Sequence, residues 1–230
     1  STVYGYLQRC SMVDFPGRLA AVLFTTGCNF RCGFCHNAAL LRKRQDGLSW
    51  QRLEEALDHF RGQWADGVVI TGGEPTIWEQ QLEDLIDFFK RAGMAVKLDT
   101  NGSRPDVLER VLHKVDYVAM DVKCATPGYA RLVGYEDIHN VHRSVDLIKS
   151  SALDYEFRST IIEGVHSDDE MMAIADLIRG ARRYVLQPFV PRENLPDPAL
   201  RKARRTSPDR LQELRRLMGN AAREVVVRGQ

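Results

Sequence analysis

The chain carries almost no net charge: 32 lysines and arginines offset 31 aspartates and glutamates, leaving +1 at neutral pH. That balance gives no reason to expect nucleic acid or an anionic membrane as a partner. No apolar run approaches the roughly 20 residues that span a bilayer, and Ser1 to Arg9 lack the charged-then-apolar order of a secretion signal. Cysteine is scarce. There are five, an odd number, and Cys28, Cys32 and Cys35 fall within eight positions. A secreted disulfide framework shows an even count over a shorter chain. In a reducing cytosol, clustered thiols point instead to a metal or to redox chemistry. Linkers and low-complexity segments are also missing. A single domain over 1–230, in the cytoplasm, is therefore expected.

What the chain does have is alternation. Apolar segments suited to buried strands run over Leu19 to Thr26, Gly67 to Thr71, Ala95 to Thr100, Tyr117 to Val122, Tyr155 to Ile162 and Tyr184 to Gln187, with Val225 to Val227 a possible last strand. Between them lie helical patterns, such as Leu82, Leu85, Ile86 and Phe89 at helical spacing. About six strand–helix repeats predict an α/β fold with a parallel sheet, built as an incomplete (β/α)6 TIM-like barrel. The proline-rich stretch from Pro188 to Pro198 reads as an ordered excursion. Cys28 to Cys35, Gly72 to Pro75, Asp99 to Gly102 and Asp121 to Lys123 each follow a strand's C-terminal end, the face on which such barrels build active sites.

The segment Thr-Gly-Cys28-Asn-Phe-Arg-Cys32-Gly-Phe-Cys35-His-Asn places three thiols at spacings of three and two intervening residues. Three thiolates so close can bind three irons of a 4Fe–4S cube, which four thiolates normally hold. With no fourth cysteine nearby, one iron is left open. The competing possibility is a structural zinc with His36 as fourth ligand. Adjacent Cys35 and His36 make that geometry awkward.

Cys-x3-Cys-x2-Cys, with Phe34 before the third cysteine, resembles the radical S-adenosylmethionine superfamily. Thr71-Gly72-Gly73-Glu74-Pro75 resembles that family's Gly-Gly-Glu-Pro motif, and glycine there lets backbone come close to a ligand. Ser11 to Gly17, Cys35-His36-Asn37, Leu98 to Gly102, Met120 to Lys123 and Tyr155 to Arg158 extend the likeness to activating enzymes of glycyl-radical enzymes, closest to the activating protein of anaerobic ribonucleoside-triphosphate reductase. The resemblance implies a 4Fe–4S cluster on Cys28, Cys32 and Cys35 that reductively cleaves S-adenosylmethionine. A 5′-deoxyadenosyl radical then installs a glycyl radical on a partner enzyme.

The residues implied around the cofactor are Phe34, His36, Gly72, Gly73, Glu74, Asp99, Thr100, Asn101, Asp121, Lys123 and Arg158. Asp99, Thr100 and Asp121 are implied ligands of a monovalent cation; helix capping is the plainer role for the two aspartates. No ferredoxin-like cysteine insert separates Cys35 from Gly72. One cluster and an external flavodoxin or ferredoxin donor are therefore expected. Asp14 is a candidate to face the partner's peptide or an ordinary turn residue. Arg158 needs a substrate contact or an internal ion pair. Cys10 and Cys124 read as buried thiols. Two other functions stay open: a radical enzyme acting on a small molecule, and a cluster-bearing electron carrier without catalysis.

Overall fold

The computed structural model describes residues 2–40 and 47–229. The two ends of the expected 1–230 domain, Ser1 and Gln230, lie outside them. In chain order the strands are β1 (Thr2–Val3), β2 (Gly5–Ser11), β3 (Ala20–Thr25), β4 (Leu48–Ser49), β5 (Gly67–Gly72), β6 (Ala95–Thr100), β7 (Tyr117–Asp121), β8 (Tyr155–Ile161), β9 (Ala181–Pro188) and β10 (Ala222–Val227). The α-helices are α1 (Trp50–Gly62), α2 (Glu79–Arg91), α3 (Pro105–Val111), α4 (Tyr129–Val133), α5 (Ile138–Ser151), α6 (Asp168–Ile178), α7 (Pro198–Arg201) and α8 (Pro208–Leu217).

One eight-stranded sheet carries the fold, in the order β10-β9-β8-β7-β6-β5-β3-β2. From β3 to β10 every neighbouring pair is parallel, and β2 adds an antiparallel edge beside β3. The strand order is linear, with β10 and β2 at its two ends. Six strands of the parallel run are each followed by at least one helix before the next. The fold is the expected α/β class with a parallel sheet. The antiparallel edge was not foreseen, because Gly-Tyr-Leu-Gln-Arg-Cys-Ser mixes polar and apolar residues without a buried run.

Side chains alternate between the two faces of the sheet. One set, including Leu23, Ile70, Leu98, Met120 and Phe157, packs in a single large core with Leu53, Leu85, Ile86, Val145 and Ile174 from the helices. The other set starts apolar. Ala20, Val22, Val69, Ala95 and Tyr117, near the strand beginnings, surround Phe15 from the β2–β3 loop. Phe15 is 3% exposed, its ring 6.2 Å from that of Tyr117. Gly67 is packed so closely against it that a Cβ would stand 3.1 Å from the ring. The loop holding Asp14 thus plugs the end of the sheet opposite the cysteines, away from any partner at the cysteine face.

Further along the inward rows of β6 and β8 the side chains become charged. Lys97 follows Ala95 on β6, and Glu156 on β8 lies beside them. Glu156 is fully buried; it accepts from Tyr117 Oη at 2.7 Å and pairs with Arg228 at 2.8 Å. Arg183 donates to Tyr117 Oη at 2.7 Å. Buried charges survive only when paired and hydrogen-bonded, and these form a polar layer above the Phe15 plug. The next residues along the rows, Asp99, Asp121 and Arg158, reach the site.

Candidate functional site

The cysteine loop leaves β3 through Gly27, whose φ of +85° suits glycine. Gly27 N donates to Leu40 O at 2.5 Å, closing the loop's far end back on its start. Phe30 anchors the middle. It is buried and packs edge-on to Tyr129, with ring centroids 6.0 Å apart. Arg31 N adds a bond to Val133 O at 2.7 Å. Between these fixed points Cys28, Cys32 and Cys35 are presented to one cavity of about 210 Å³.

The Gly-Gly-Glu turn after β5 is bolted to the same loop. Gly73 N donates to Thr25 O at 3.0 Å and Glu74 N to Gly27 O at 2.8 Å. A Cβ on Gly73 would lie 2.0 Å from Gly27 O, and one on Gly72 2.3 Å from Thr25 O. Both glycines are therefore required where two backbones meet, a constraint distinct from close approach to a ligand. Glu74 acts inward as well. Its carboxylate accepts from Thr100 Oγ1 at 2.7 Å, from Asn101 N at 2.8 Å and from the Thr76 hydroxyl. Burial raises its pKa against the pull of these donors. Glu74 thereby straps the β5 loop to the β6 loop.

Asn101 continues the chain of contacts. Its amide nitrogen donates to Asn29 Oδ1 at 3.0 Å and lies 3.9 Å from Cys28 Sγ. His36 fixes the other side of the cysteine loop, with Nε2 3.1 Å from Val190 O. Asp197 N donates to Gly33 O at 3.0 Å. The proline-rich stretch is thus ordered and wraps the cysteine loop.

Opposite the thiols stands a charged wall. Arg158 Nε lies 2.8 Å from Asp121 Oδ1, and its Nη2 is 3.4 Å from Asp99 Oδ2. Lys123 Nζ is 3.4 Å from Asp121 Oδ2 and sits 5.5 Å from the centre of the Phe34 ring. Burial pulls the Asp121 carboxyl up, but Arg158 and Lys123 outweigh it and hold the pKa at about 2. Asp99 is lowered in the same contest by Arg158 and Lys97. The internal ion pair, one of the two roles open to Arg158, is present, and the same side chain also borders the cavity.

The three cysteines and the eleven residues implied around the cofactor all line this one cavity. Thr160 and Gln187 line it too, although neither was singled out. Both sit at strand C-terminal ends, and Thr160 is two residues past Arg158, so period-two counting along β8 would have found it. Cys10 and Cys124 do not line the cavity. Cys10 lies 4.0 Å from Gln63 Oε1, and Cys124 is buried beside Gly128.

The donor set suits a polynuclear cluster. Burial pushes the Cys28 thiol up to about 12 and raises Cys32 and Cys35 as well. Such thiols become ligands only by exchanging their protons for metal charge. Among the described residues, no three His, Cys, Asp or Glu side chains converge on one ion. A single zinc needs four donors at one point, whereas a cluster offers a separate iron to each thiol.

The chain matches the radical SAM superfamily over residues 22–178 and belongs to it. Its members use a 4Fe–4S cluster and S-adenosylmethionine, and this chain is an enzyme of that kind. Across 225 residues it is 30% identical to a Methanocaldococcus jannaschii protein provisionally named as a glycyl-radical enzyme activating enzyme. The alignment covers 95% of this chain and 92% of that one. It is 25% identical to the pyruvate formate-lyase-activating enzyme of Streptococcus mutans, covering 90% of this chain and 86% of the other. The fold superposes on TYW1 with a lysine-pyruvate adduct bound at a TM-score of 0.66 and 17% identity, over 94% of this chain and 78% of TYW1. No helix among the described residues is long and apolar enough to cross a membrane.

Proposed function

We propose that this protein activates a glycyl-radical enzyme, and that its partner is an anaerobic ribonucleoside-triphosphate reductase. The observation that carries the reading is the convergence of three thiols, the Gly-Gly-Glu turn and a cationic wall on one cavity at the strand C-termini. The names of the two relatives above support the activating role, and the motif likeness from Ser11 to Arg158 supports this partner. When bound, the reduced cluster supplies the electron that cleaves the sulfonium of S-adenosylmethionine.

The chain's own residues do the positioning. Cys28, Cys32 and Cys35 hold the cluster, and the absent fourth thiol leaves room for the methionine amino and carboxylate groups. Lys123 and Arg158 offer positive charge to that carboxylate. The backbone at Gly72 and Gly73, held by the cysteine loop, borders the same space. Phe34 and the buried Phe30 exclude water around the thiols, where a reactive carbon radical must be shielded. A glycine-bearing loop of the partner enters at the cavity mouth, and a flavodoxin or ferredoxin provides the reducing electron.

The test is anaerobic. The protein is reconstituted with iron and sulfide, reduced, and given S-adenosylmethionine with either the reductase or pyruvate formate-lyase. Deoxyadenosine together with a glycyl radical on the reductase is the expected result, and Cys28→Ala abolishes both. A radical on pyruvate formate-lyase alone would reassign the partner. Deoxyadenosine with neither radical would move the substrate to a small molecule. None from a loaded, reduced cluster would leave an electron carrier.

A further inference from the structure

The resemblance drawn from the sequence implies a monovalent cation held by Asp99, Thr100 and Asp121, and the oxygens of these residues do not fit one. Asp99 Oδ1 faces Lys97 Nζ at 2.9 Å and Oδ2 faces Arg158 at 3.4 Å. Asp121 spends its two oxygens on Arg158 at 2.8 Å and Lys123 at 3.4 Å. Thr100 Oγ1 donates to Glu74 at 2.7 Å and accepts from Gly102 N at 3.2 Å. Each of these side-chain oxygens has a protein cation or donor within 3.4 Å; among the described residues Asp99 Oδ1 makes no well-formed hydrogen bond and meets the Lys97 ammonium as an ion pair.

The charges lead to the same place. Two carboxylates, Asp99 and Asp121, meet three cations, Lys97, Arg158 and Lys123. Counting the buried Glu74 carboxylate, which Thr100 meets at 2.7 Å, the group with Lys97 is neutral as it stands. A further cation would leave one charge unpaired in a buried site, which is costly.

Lys97 is built for the task. Its position on β6, two residues before Asp99, places both on the inward row, and it is 2% exposed. Its ammonium lies between the Asp99 carboxylate and Asp14 O, which accepts at 2.6 Å. A carboxylate and a backbone carbonyl are the hard oxygens that an alkali cation would itself take. Nothing about the strand Ala-Val-Lys-Leu-Asp-Thr announces this, since a lysine within an apolar strand reads as an edge or a snorkelling residue.

We infer that Lys97 is a built-in counter-ion, supplying through Asp99 the positive charge that a bound monovalent cation would bring, so that this enzyme needs no alkali metal. It is a positioning residue: it holds Asp99, which with Asp121 holds Arg158 at the cavity wall. The inference rests on the reading of the cavity as an S-adenosylmethionine site, and the test keeps the two apart.

Thermal unfolding of the cluster-free protein is compared in KCl, NaCl and tetramethylammonium chloride at equal ionic strength. S-adenosylmethionine binding to the reconstituted protein is measured in the same salts. The wild type should unfold at one temperature and bind equally well in all three. Lys97→Met should acquire a saturable, KCl- or NaCl-specific rise in melting temperature. It should bind the cofactor about tenfold more weakly in tetramethylammonium, within the usual range of coupling between sites, with recovery in KCl. A wild type that needs potassium or sodium for binding or stability would overturn the inference, as would a folded Lys97→Met indifferent to the salt. If Lys97→Met does not fold, the wild-type comparison decides alone. If the wild type binds no S-adenosylmethionine in any salt, the cavity reading fails, and the melting temperatures still decide the counter-ion.

Discussion

Replacing Arg158 with methionine would take a guanidinium from between two buried carboxylates and keep most of its volume. Arg158 stands 2.8 Å from Asp121 and 3.4 Å from Asp99. Breaking a buried pair by removing one partner costs about 3–5 kcal/mol, because a charge is left uncompensated. Lys97 and Lys123 remain, so the lower end, about 3 kcal/mol, is expected at pH 7. For a chain of this size that lowers the melting temperature by about 6–12 °C.

The pH dependence gives the sharper check. In the wild type, Asp121 is depressed from 3.8 to about 2. Its contribution is therefore complete above pH ~4 and is lost as the pH falls toward 2. In the variant Lys97 and Lys123 still face the two carboxylates, so both pKa values move up toward their unfolded values. The part of the stability gap that comes from ionised Asp121 is present above pH ~4 and disappears as the pH falls toward 2. Urea unfolding of the cluster-free proteins should show a gap that is steady from pH 7 to pH 5 and narrows below pH 4. A gap that stays constant or widens below pH 4 would refute the assignment of Arg158 as the charge partner of both aspartates.

Two further substitutions probe the frame around the site. Gly73→Ala drives a Cβ to 2.0 Å from Gly27 O, and backbone cannot yield there as a flexible side chain could. The loop should lose about 3 kcal/mol or more, read as protease cleavage near Cys28 to Cys35 and as lower iron incorporation at full overall helicity. Phe15→Ala removes the apolar plug and should cost about 3–5 kcal/mol in urea unfolding. Its effect on S-adenosylmethionine affinity should be small, since Phe15 packs at the strand beginnings; a large loss of affinity with little loss of stability would contradict that placement.

Much of this was legible in the sequence, for identifiable reasons. Ala95–Thr100 has the bounds expected of it, because its apolar run ends at Asn101-Gly102. The site residues were legible because they share one rule, polar residues at the C-terminal ends of apolar strands. What stayed hidden depends on contacts between distant segments. Gly5–Ser11 becomes a strand only because β3 offers it an edge. The five-residue α4 is too short to show a period. The two glycines answer to the backbone of Thr25 and Gly27, and Lys97 answers to Asp14, 83 positions away. No local pattern encodes such partners.

The Phe15 plug and the paired charges above it have a consequence for the order of events. They fill the inner face of the sheet below the cavity, so among the described residues the site has a floor on the side away from the cysteines. Whatever arrives second must sit on what arrived first. A partner loop that reaches in before S-adenosylmethionine would lock the cofactor out, and spent methionine could not leave beneath a loop still seated. If the proposed partner loop enters from the cysteine side, the floor imposes an order: cofactor, then partner, then partner out before exchange.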